Sequence, residues 1–242
     1  MKLAADGVKE IVLTGVNLGD FGKGPDGDKQ HQENFTDLVK ALDEVKGIER
    51  YRISSIEPNL ITNELIEWVA NSDQFMPHFH IPLQSGSDRI LGLMRRRYKR
   101  ALYAEKVALI KQLMPHAAIG VDVIVGFPGE TDEDFKETFD FIHSLDVSYL
   151  HVFTYSERDN TKALEIKPVV PISVRNERNK TLRNLSYMKL QYFTQQHTGT
   201  NRPVLFEAYN KEGMMEGYTD NYIRIITPYR AEWANQIVAW NI

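Results

Sequence analysis

The sequence predicts an α/β fold: a partial, TIM-like (β/α) barrel of parallel strands, followed by a small antiparallel β module. Three observations carry this. Five apolar segments rich in β-branched and aromatic residues alternate with amphipathic helical segments over the first two thirds of the 242 residues. Connections of that length join parallel strands through right-handed crossovers. After Pro168 and Pro171 the pattern changes to one long helix and then four short strands.

The first strand is EIVLTGV (10–16). The glycine-rich FGKGPDGD (21–28) reads as a flexible loop. Asn34 is placed to cap a helix carrying Phe35, Leu38, Val39, Leu42 and Val45 at helical spacing. YRISSI (51–56) is the second strand, and Thr62 caps a helix with Leu65, Ile66 and Val69. HFHIPL (78–83) is the third, leading through a Ser/Gly turn into a helix that runs on into Arg95, Arg96, Arg97, Lys99 and Arg100. Leu109, Ile110 and Leu113 mark a helix that stops before Pro115. IGVDVIVGF (119–127) follows, then a capping box of Thr131 and Asp134 ahead of Phe135, Phe139 and Ile142. SYLHVFTYS (148–156) is the fifth strand. All five are mostly apolar, as strands buried on both faces should be.

Residues 173–197 read as one long polar helix. Leu182, Leu185 and Met188 form its thin apolar stripe, with Arg175, Arg178, Lys180, Arg183 and Lys189 facing elsewhere. PVLFEAY (203–209), MMEGY (214–218), NYIRIIT (221–227) and NQIVAW (235–240) make the β module. The expected division is barrel 1–170, connecting helix 171–200 and β module 201–242.

Composition is that of an ordinary globular chain, 42% hydrophobic and 26% charged. A net charge of -4 gives no overall attraction for nucleic acid, so local clusters must carry any such binding. The absence of cysteine excludes disulfides, thiolate zinc sites, a cysteine nucleophile and a self-supplied iron–sulfur cluster. No apolar run approaches the roughly 20 residues of a membrane span, and the N-terminus lacks signal-peptide features. A cytoplasmic protein with no membrane partner is expected.

Chemistry in such folds sits at the C-terminal strand ends. Five turns fall there: GVNLGD (15–20), SSIEPN (54–59), PLQSGS (82–87), GFPGET (126–131) and YSERDN (155–160). They offer the Asn17 amide, the Glu57 carboxylate, Gln84 and Ser85 beside Gly86, and a flat apolar lip at Phe127. Gly86 lets backbone approach a ligand, and the helix after it points its N-terminus at an anion. Together the turns suit a ligand with an amino-acid end and a nucleoside end; singly, each is also an ordinary turn or cap residue. Two cation clusters, Arg95–Arg97 and Arg175–Arg183, with Tyr209, Tyr218, Tyr222 and Tyr229, suit a phosphate-tracking surface with stacking rings. Each cluster also fits a solvated helix face, and Arg97 could instead pair with a ligand carboxylate. His78 and His80 share one strand face and, with Asp122 and His151, could bind a metal. Half-buried histidines satisfied by backbone groups are the plainer reading, so no metal ligand is assigned. There is no Walker A loop and no Ser-His-Asp set.

LTGVNLGD, HIPLQSGSDRIL, DVIVGFPGETDEDF and YSERDNTKA, in this order ahead of a β module, resemble the radical S-adenosylmethionine methylthiotransferases. The resemblance is strongest to the branch that modifies threonylcarbamoyladenosine in tRNA. It implies a radical SAM barrel with a Cys-x3-Cys-x2-Cys loop, an N-terminal domain with an auxiliary cluster, and a C-terminal RNA-binding TRAM domain. The intact enzyme would use S-adenosylmethionine and [4Fe–4S] clusters to place a methylthio group on adenine C2. By the resemblance Asn17, Glu57, Gln84, Ser85 and Phe127 become cofactor neighbours. Arg95, Arg96, Arg97, Arg175, Arg178 and Arg183 become tRNA contacts. Asp159 and Asn160 stand where the family usually has Pro-Gly. The chain would lack the first strand and the cluster cysteines, be catalytically silent alone, and expose strand 10–16 as an edge able to dimerise. A non-catalytic RNA-binding module and a metal-dependent barrel hydrolase are the alternatives.

Overall fold

The computed structural model describes residues 2–23, 33–208 and 212–242. Most of FGKGPDGD, and Tyr209, lie outside the described residues. After a short helix α1 (Lys2–Ala5), five strands alternate with helices: β1 (Glu10–Leu13), α2 (Phe35–Asp43), β2 (Arg50–Ile53), α3 (Asn63–Asn71), β3 (His78–His80), α4 (Asp88–Leu93), α5 (Arg100–Leu113), β4 (Ala118–Val125), α6 (Asp132–Ser144) and β5 (Tyr149–Thr154). β1 pairs with β2, and β3 with β4 and β5, all parallel. Parallel bridges Tyr51–Phe75 and Ser55–His80 join the two groups. The strands therefore run in chain order and one direction, as expected. Most end two or three residues early, because the chain leaves the ladder to build the rim turns.

The helices begin where local chemistry places them. Asn34 and Thr131 each form a complete capping box, with Asp37 and Asp134, and the Thr62 hydroxyl accepts the Leu65 N–H. Each cap stabilises its helix by about 1 kcal/mol. One expectation fails. The helix after PLQSGS stops at Leu93; Arg95 adopts a left-handed conformation (φ 57°) and α5 begins at Arg100. The arginine file is a rim loop, not a helix face.

The sheet also differs from the sequence reading in its two faces. Tyr51, Ile53, Phe79, Ile81, Val121, Val123 and Leu150 pack on helix residues such as Val39, Ile66, Tyr103, Val107, Ile110 and Ile142 in the main core. The alternate residues face the concave side and are largely polar, among them Glu10, Arg50, Arg52, His78, His80, Asp122, Tyr149 and His151. Helices cover one face only, which is the arrangement of a barrel and not of a doubly wound sheet.

α7 (Ile172–Gln196) lies along β5 and covers its free edge. The Leu150 N–H donates to Ser186 Oγ (2.8 Å), whose hydroxyl donates to Leu150 O (3.0 Å), and Asn179 Nδ2 donates to Val152 O (3.2 Å). These side chains stand in for a missing strand. The other edge is β1, where Val12 is half exposed. Leu182 and Leu185 are buried as expected, but Met188 is exposed, and Phe193 completes the stripe.

The C-terminal sheet is antiparallel, ordered β8 (Arg224–Pro228), β7 (Met214–Thr219), β6 (Asn201–Phe206), β9 (Ile237–Asn241). Val204, Phe206 and Met215 form its core with Trp233 and Trp240. It sits against the N-terminal ends of the barrel strands. Buried Arg50 donates to Tyr218 O and Pro203 O (3.2 and 2.7 Å), and buried Arg52 to Asp220 O and Thr219 O (3.0 and 3.3 Å). Glu10 accepts two further bonds from Arg52 (3.1 Å each). Buried guanidinium charge requires this saturation with acceptors. The module thus closes the barrel floor and leaves the C-terminal rim open.

Candidate functional site

Two adjoining cavities open on that rim. The larger, about 1080 Å³, is lined by Phe127 and Ile124 of β4 and its turn, Phe153 and Tyr155 of β5 and its turn, and Arg95 and Arg96. The smaller, about 250 Å³, is polar and holds Asn17, Glu57, Asn59, Arg96 and Arg97. Met94, Arg95 and Arg96 border both. Phe127 is buried and meets the Tyr155 ring edge-on at 5.3 Å, giving a firm aromatic wall. Arg96 donates to Glu57 at 2.8 Å, with both side chains a little over a quarter exposed. Asn17 donates to Asp20. Asn59 Oδ1 and Arg96 Nε are buried without a hydrogen-bond partner. Orphaned buried polar atoms on a cavity wall are places for a ligand's own donors and acceptors.

PLQSGS is not on that wall. Ser85 is completely buried, 3.2 Å from Thr138 Oγ1, and the Gly86 N–H donates to the same hydroxyl (3.0 Å). The Ser87 hydroxyl donates to Asp134 (2.9 Å). A Cβ on Gly86 would lie 2.7 Å from Thr138 Cα. The glycine allows α6 to approach, where the sequence suggested ligand approach. Gln84 is buried at φ 68°, its N–H donating to Asp122 O (2.8 Å) and its carbonyl accepting from the Ile124 N–H (2.9 Å).

The α7 arginines divide. Arg183 is exposed, as are Arg95 and Arg97 on the rim loop. Arg175 and Arg178, expected on a polar face, are buried. Arg175 donates to Val170 O (2.8 Å), Tyr155 O (2.9 Å) and Glu157 (2.6 Å). Arg178 donates to Glu130 (2.5 Å) and Asp132 (2.6 Å). Glu130 also accepts the Gly126 N–H (2.7 Å). Burial pushes the Glu130 carboxyl above its ordinary value despite those donors. These two arginines pin the GFPGET and YSERDN turns, and neither presents its charge to an outside phosphate.

On the concave face, parallel register sets Asp122 directly beside His151 and His80 beside Gly120. His80 Nε2 lies 2.8 Å and His151 Nδ1 3.4 Å from the same Asp122 Oδ1. Burial alone would push the Asp122 carboxyl up; hydrogen bonds from His151 and His80 outweigh it and hold the group below the usual carboxylate range. His78 stacks on Tyr222 of the C-terminal module (4.1 Å) and bonds the Tyr149 hydroxyl through Nε2 (2.8 Å). Burial lowers its pKa well below the ordinary value, so it is neutral.

Residues 1–142 match the sequence profile of the Radical SAM superfamily. The chain belongs to the radical SAM superfamily. It is 39% identical to the threonylcarbamoyladenosine tRNA methylthiotransferase MtaB of Bacillus subtilis (strain 168), over 98% of this chain and 52% of that protein. It is 40% identical to the protein of the same name from Aquifex aeolicus (strain VF5), over 92% and 52%. A tRNA-2-methylthio-N(6)-dimethylallyladenosine synthase of Pelotomaculum thermopropionicum is 35% identical over 88% and 46%. The chain spans about half the length of these relatives. The radical S-adenosylmethionine methyltransferase TsrM of Kitasatospora setae superposes with a TM-score of 0.50 at 12% identity, over 89% of this chain and 34% of that one, a likeness of fold alone.

The residues of this radical SAM chain fit the two family cofactors unequally. The larger rim cavity has the volume of a small-molecule site, an aromatic wall and an adjoining polar end with orphaned atoms, as S-adenosylmethionine requires. No thiolate in the 242 residues can ligate an iron–sulfur cluster. Among the described residues no helix is long and apolar enough to cross a membrane. Sequence reasoning missed Asn59, whose signal was only its place in SSIEPN; it named His78, His80, Asp122 and His151 as residues that could bind a metal, and strand register brings His80, Asp122 and His151 of that set together.

Proposed function

We propose that this chain is the cofactor-binding barrel and RNA-facing β module of a tRNA methylthiotransferase that modifies C2 of N6-threonylcarbamoyladenosine. The observation that carries the reading is the paired rim cavity, aromatic at Phe127 and polar at Glu57, Asn59 and Arg96, in a chain 39% identical to a protein of that name. S-adenosylmethionine, if held in the rim cavity, would supply the radical chemistry of the family, while the chain offers no thiolate for the iron–sulfur cluster. The chain's own residues bind and orient. Phe127 and Tyr155, packed edge to face, offer the adenine an aromatic wall, while Arg96 and Asn59 meet the amino-acid end. The polypeptide holds no cluster thiolates, so we expect it to be catalytically silent alone.

The proposed division is a barrel over 1–170, a connecting helix over 171–200 and a TRAM-like RNA-binding module over 201–242. Exposed Arg95, Arg97 and Arg183 would contact tRNA phosphates; the free edge of β1 would pair with a second copy. A cytoplasmic location follows from a tRNA substrate. Calorimetric titration of the 242-residue chain with S-adenosylmethionine tests the reading. Saturable binding, weakened at least tenfold in Phe127→Ala, supports it. Binding that Phe127→Ala leaves unchanged, or heats no larger than dilution, overturns it.

A further inference from the structure

We propose that His80, Asp122 and His151 form a binding site for one divalent transition ion of the zinc or ferrous class, on the concave face of the barrel. The donors are His80 Nε2, His151 Nδ1 and an Asp122 carboxylate oxygen, all within 4.8 Å of one another. Ligands about 2.1 Å from a tetrahedral zinc lie roughly 3.4 Å apart. The His151–Asp122 distance is already 3.4 Å, and the His80–Asp122 distance of 2.8 Å needs a small opening. Two imidazoles and one carboxylate form the ligand set used by zinc hydrolases and non-haem iron centres, with positions left for water or a ligand.

The setting favours an ion. The ligands come from three adjacent strands, β3, β4 and β5, whose ladder fixes their spacing. The His80 and His151 rings lie 5.0 Å apart, flanked by the Tyr149 ring at 6.5 and 5.3 Å. An entry path exists, since the side chains of His151 and Asp122 are 53% and 20% exposed. The site also has a place relative to the rim. Ile124 and Phe153, two residues beyond Asp122 and His151 on the same strand face, line the larger cavity. At the rise of a strand, the ion would sit about 7 Å below that wall. A nitrogen or oxygen of a ligand reaching down from the cavity would complete its coordination. Nothing in the rim reading uses these three residues, so the two proposals stand or fall separately.

The full 242-residue chain, stripped with a chelator and returned to metal-free buffer, is titrated with Zn²⁺ by calorimetry and with Co²⁺ by visible absorption. One equivalent of each is expected to bind, with Co²⁺ giving d–d bands of a low-coordinate nitrogen/oxygen site. Asp122→Asn and His151→Gln should each weaken binding at least tenfold, while His143→Gln on α6 should not. Because Asp122 lies within a strand ladder, circular dichroism checks its variant; if that variant unfolds, exposed His151→Gln decides. Failure to bind near stoichiometric concentration, or binding unaltered in His151→Gln, overturns the proposal.

Discussion

Arg178 of the long helix α7 reaches Glu130 of the GFPGET turn at 2.5 Å, and both side chains are almost fully buried. A charge from one element thereby fixes a loop that walls the rim cavity. Removing one member of a buried pair leaves the other uncompensated, at a cost of about 3–5 kcal/mol. Arg178→Ala should therefore unfold at markedly lower denaturant concentration. Arg178→Met combined with Glu130→Gln should recover much of the loss. Urea melts of the three proteins check this; equal loss in the single and double variants would show that the pair does not act as a unit.

Arg175 and Arg178 also show where the sequence could not be read. A basic residue on a polar helix is indistinguishable from a solvated one until its partners are placed, and Glu130, Asp132 and Glu157 lie far along the chain. Local features were legible. Asn34, Thr62 and Thr131 cap their helices because a cap depends on three or four neighbours. The five strands follow from apolar runs, but their polar concave side did not, because Arg52, His80 and Asp122 within those runs look like interruptions. Parallel register is set by helix packing across long crossovers. The meeting of Asp122 with His151 therefore had no sequence signal.

The exposed and buried arginines should separate in RNA binding. Charge reversal of Arg95 and Arg97 should weaken tRNA binding and flatten its salt dependence by roughly one ion per lost phosphate contact. Arg175→Gln should instead lower thermal stability and leave the salt slope of the folded protein intact. Fluorescence anisotropy at several salt concentrations, alongside thermal melts, distinguishes the two. An unchanged slope in the Arg95/Arg97 variant would remove the rim loop from the RNA surface.

Asp134 gives a pH-dependent prediction. It closes the capping box of α6 and accepts from Arg89, Ser87 and Thr131. Burial would push its carboxyl up, but the Arg89 bond, with those from Thr131 and Ser87, holds it below the ordinary value of 3.8. A carboxyl lowered on folding adds stability above its unfolded pKa and loses it as pH falls through the folded one. Asp134→Ala should be destabilised by about 2–3 kcal/mol at neutral pH, from one lost cap and charged hydrogen bonds. The gap to the parent should narrow as pH drops below 3.8. Melts from neutral pH to acid test it, and a constant gap would contradict it.

Gly86 tests the reassigned role of the PLQSGS turn. An added Cβ would stand 2.7 Å from Thr138 Cα, a backbone atom that can yield only if α6 moves. Overpacking of that kind costs about 1–3 kcal/mol. Gly86→Ala should therefore lose stability while binding S-adenosylmethionine within about twofold of the parent. A large loss of affinity with full stability would return the glycine to the cofactor.

Arg96 should be the rim cation that matters for the cofactor. Arg97, the arginine the sequence suggested for a ligand carboxylate, is exposed, whereas Arg96 is held by Glu57 at 2.8 Å with its Nε buried and unpartnered. A carboxylate entering the smaller cavity would meet a guanidinium already oriented and partly desolvated, where charged hydrogen bonds contribute about 1.5–3 kcal/mol. Arg96→Ala should thus weaken S-adenosylmethionine binding by roughly tenfold to a hundredfold. Arg96→Lys should recover little, since an ammonium lacks the planar fork. Arg97→Ala should bind like the parent. Calorimetry on the three variants, each checked for an unchanged melting transition, decides between the two arginines; equal losses at both would mean that the cavity is gripped by the charge of the whole loop and not by the Glu57-oriented side chain.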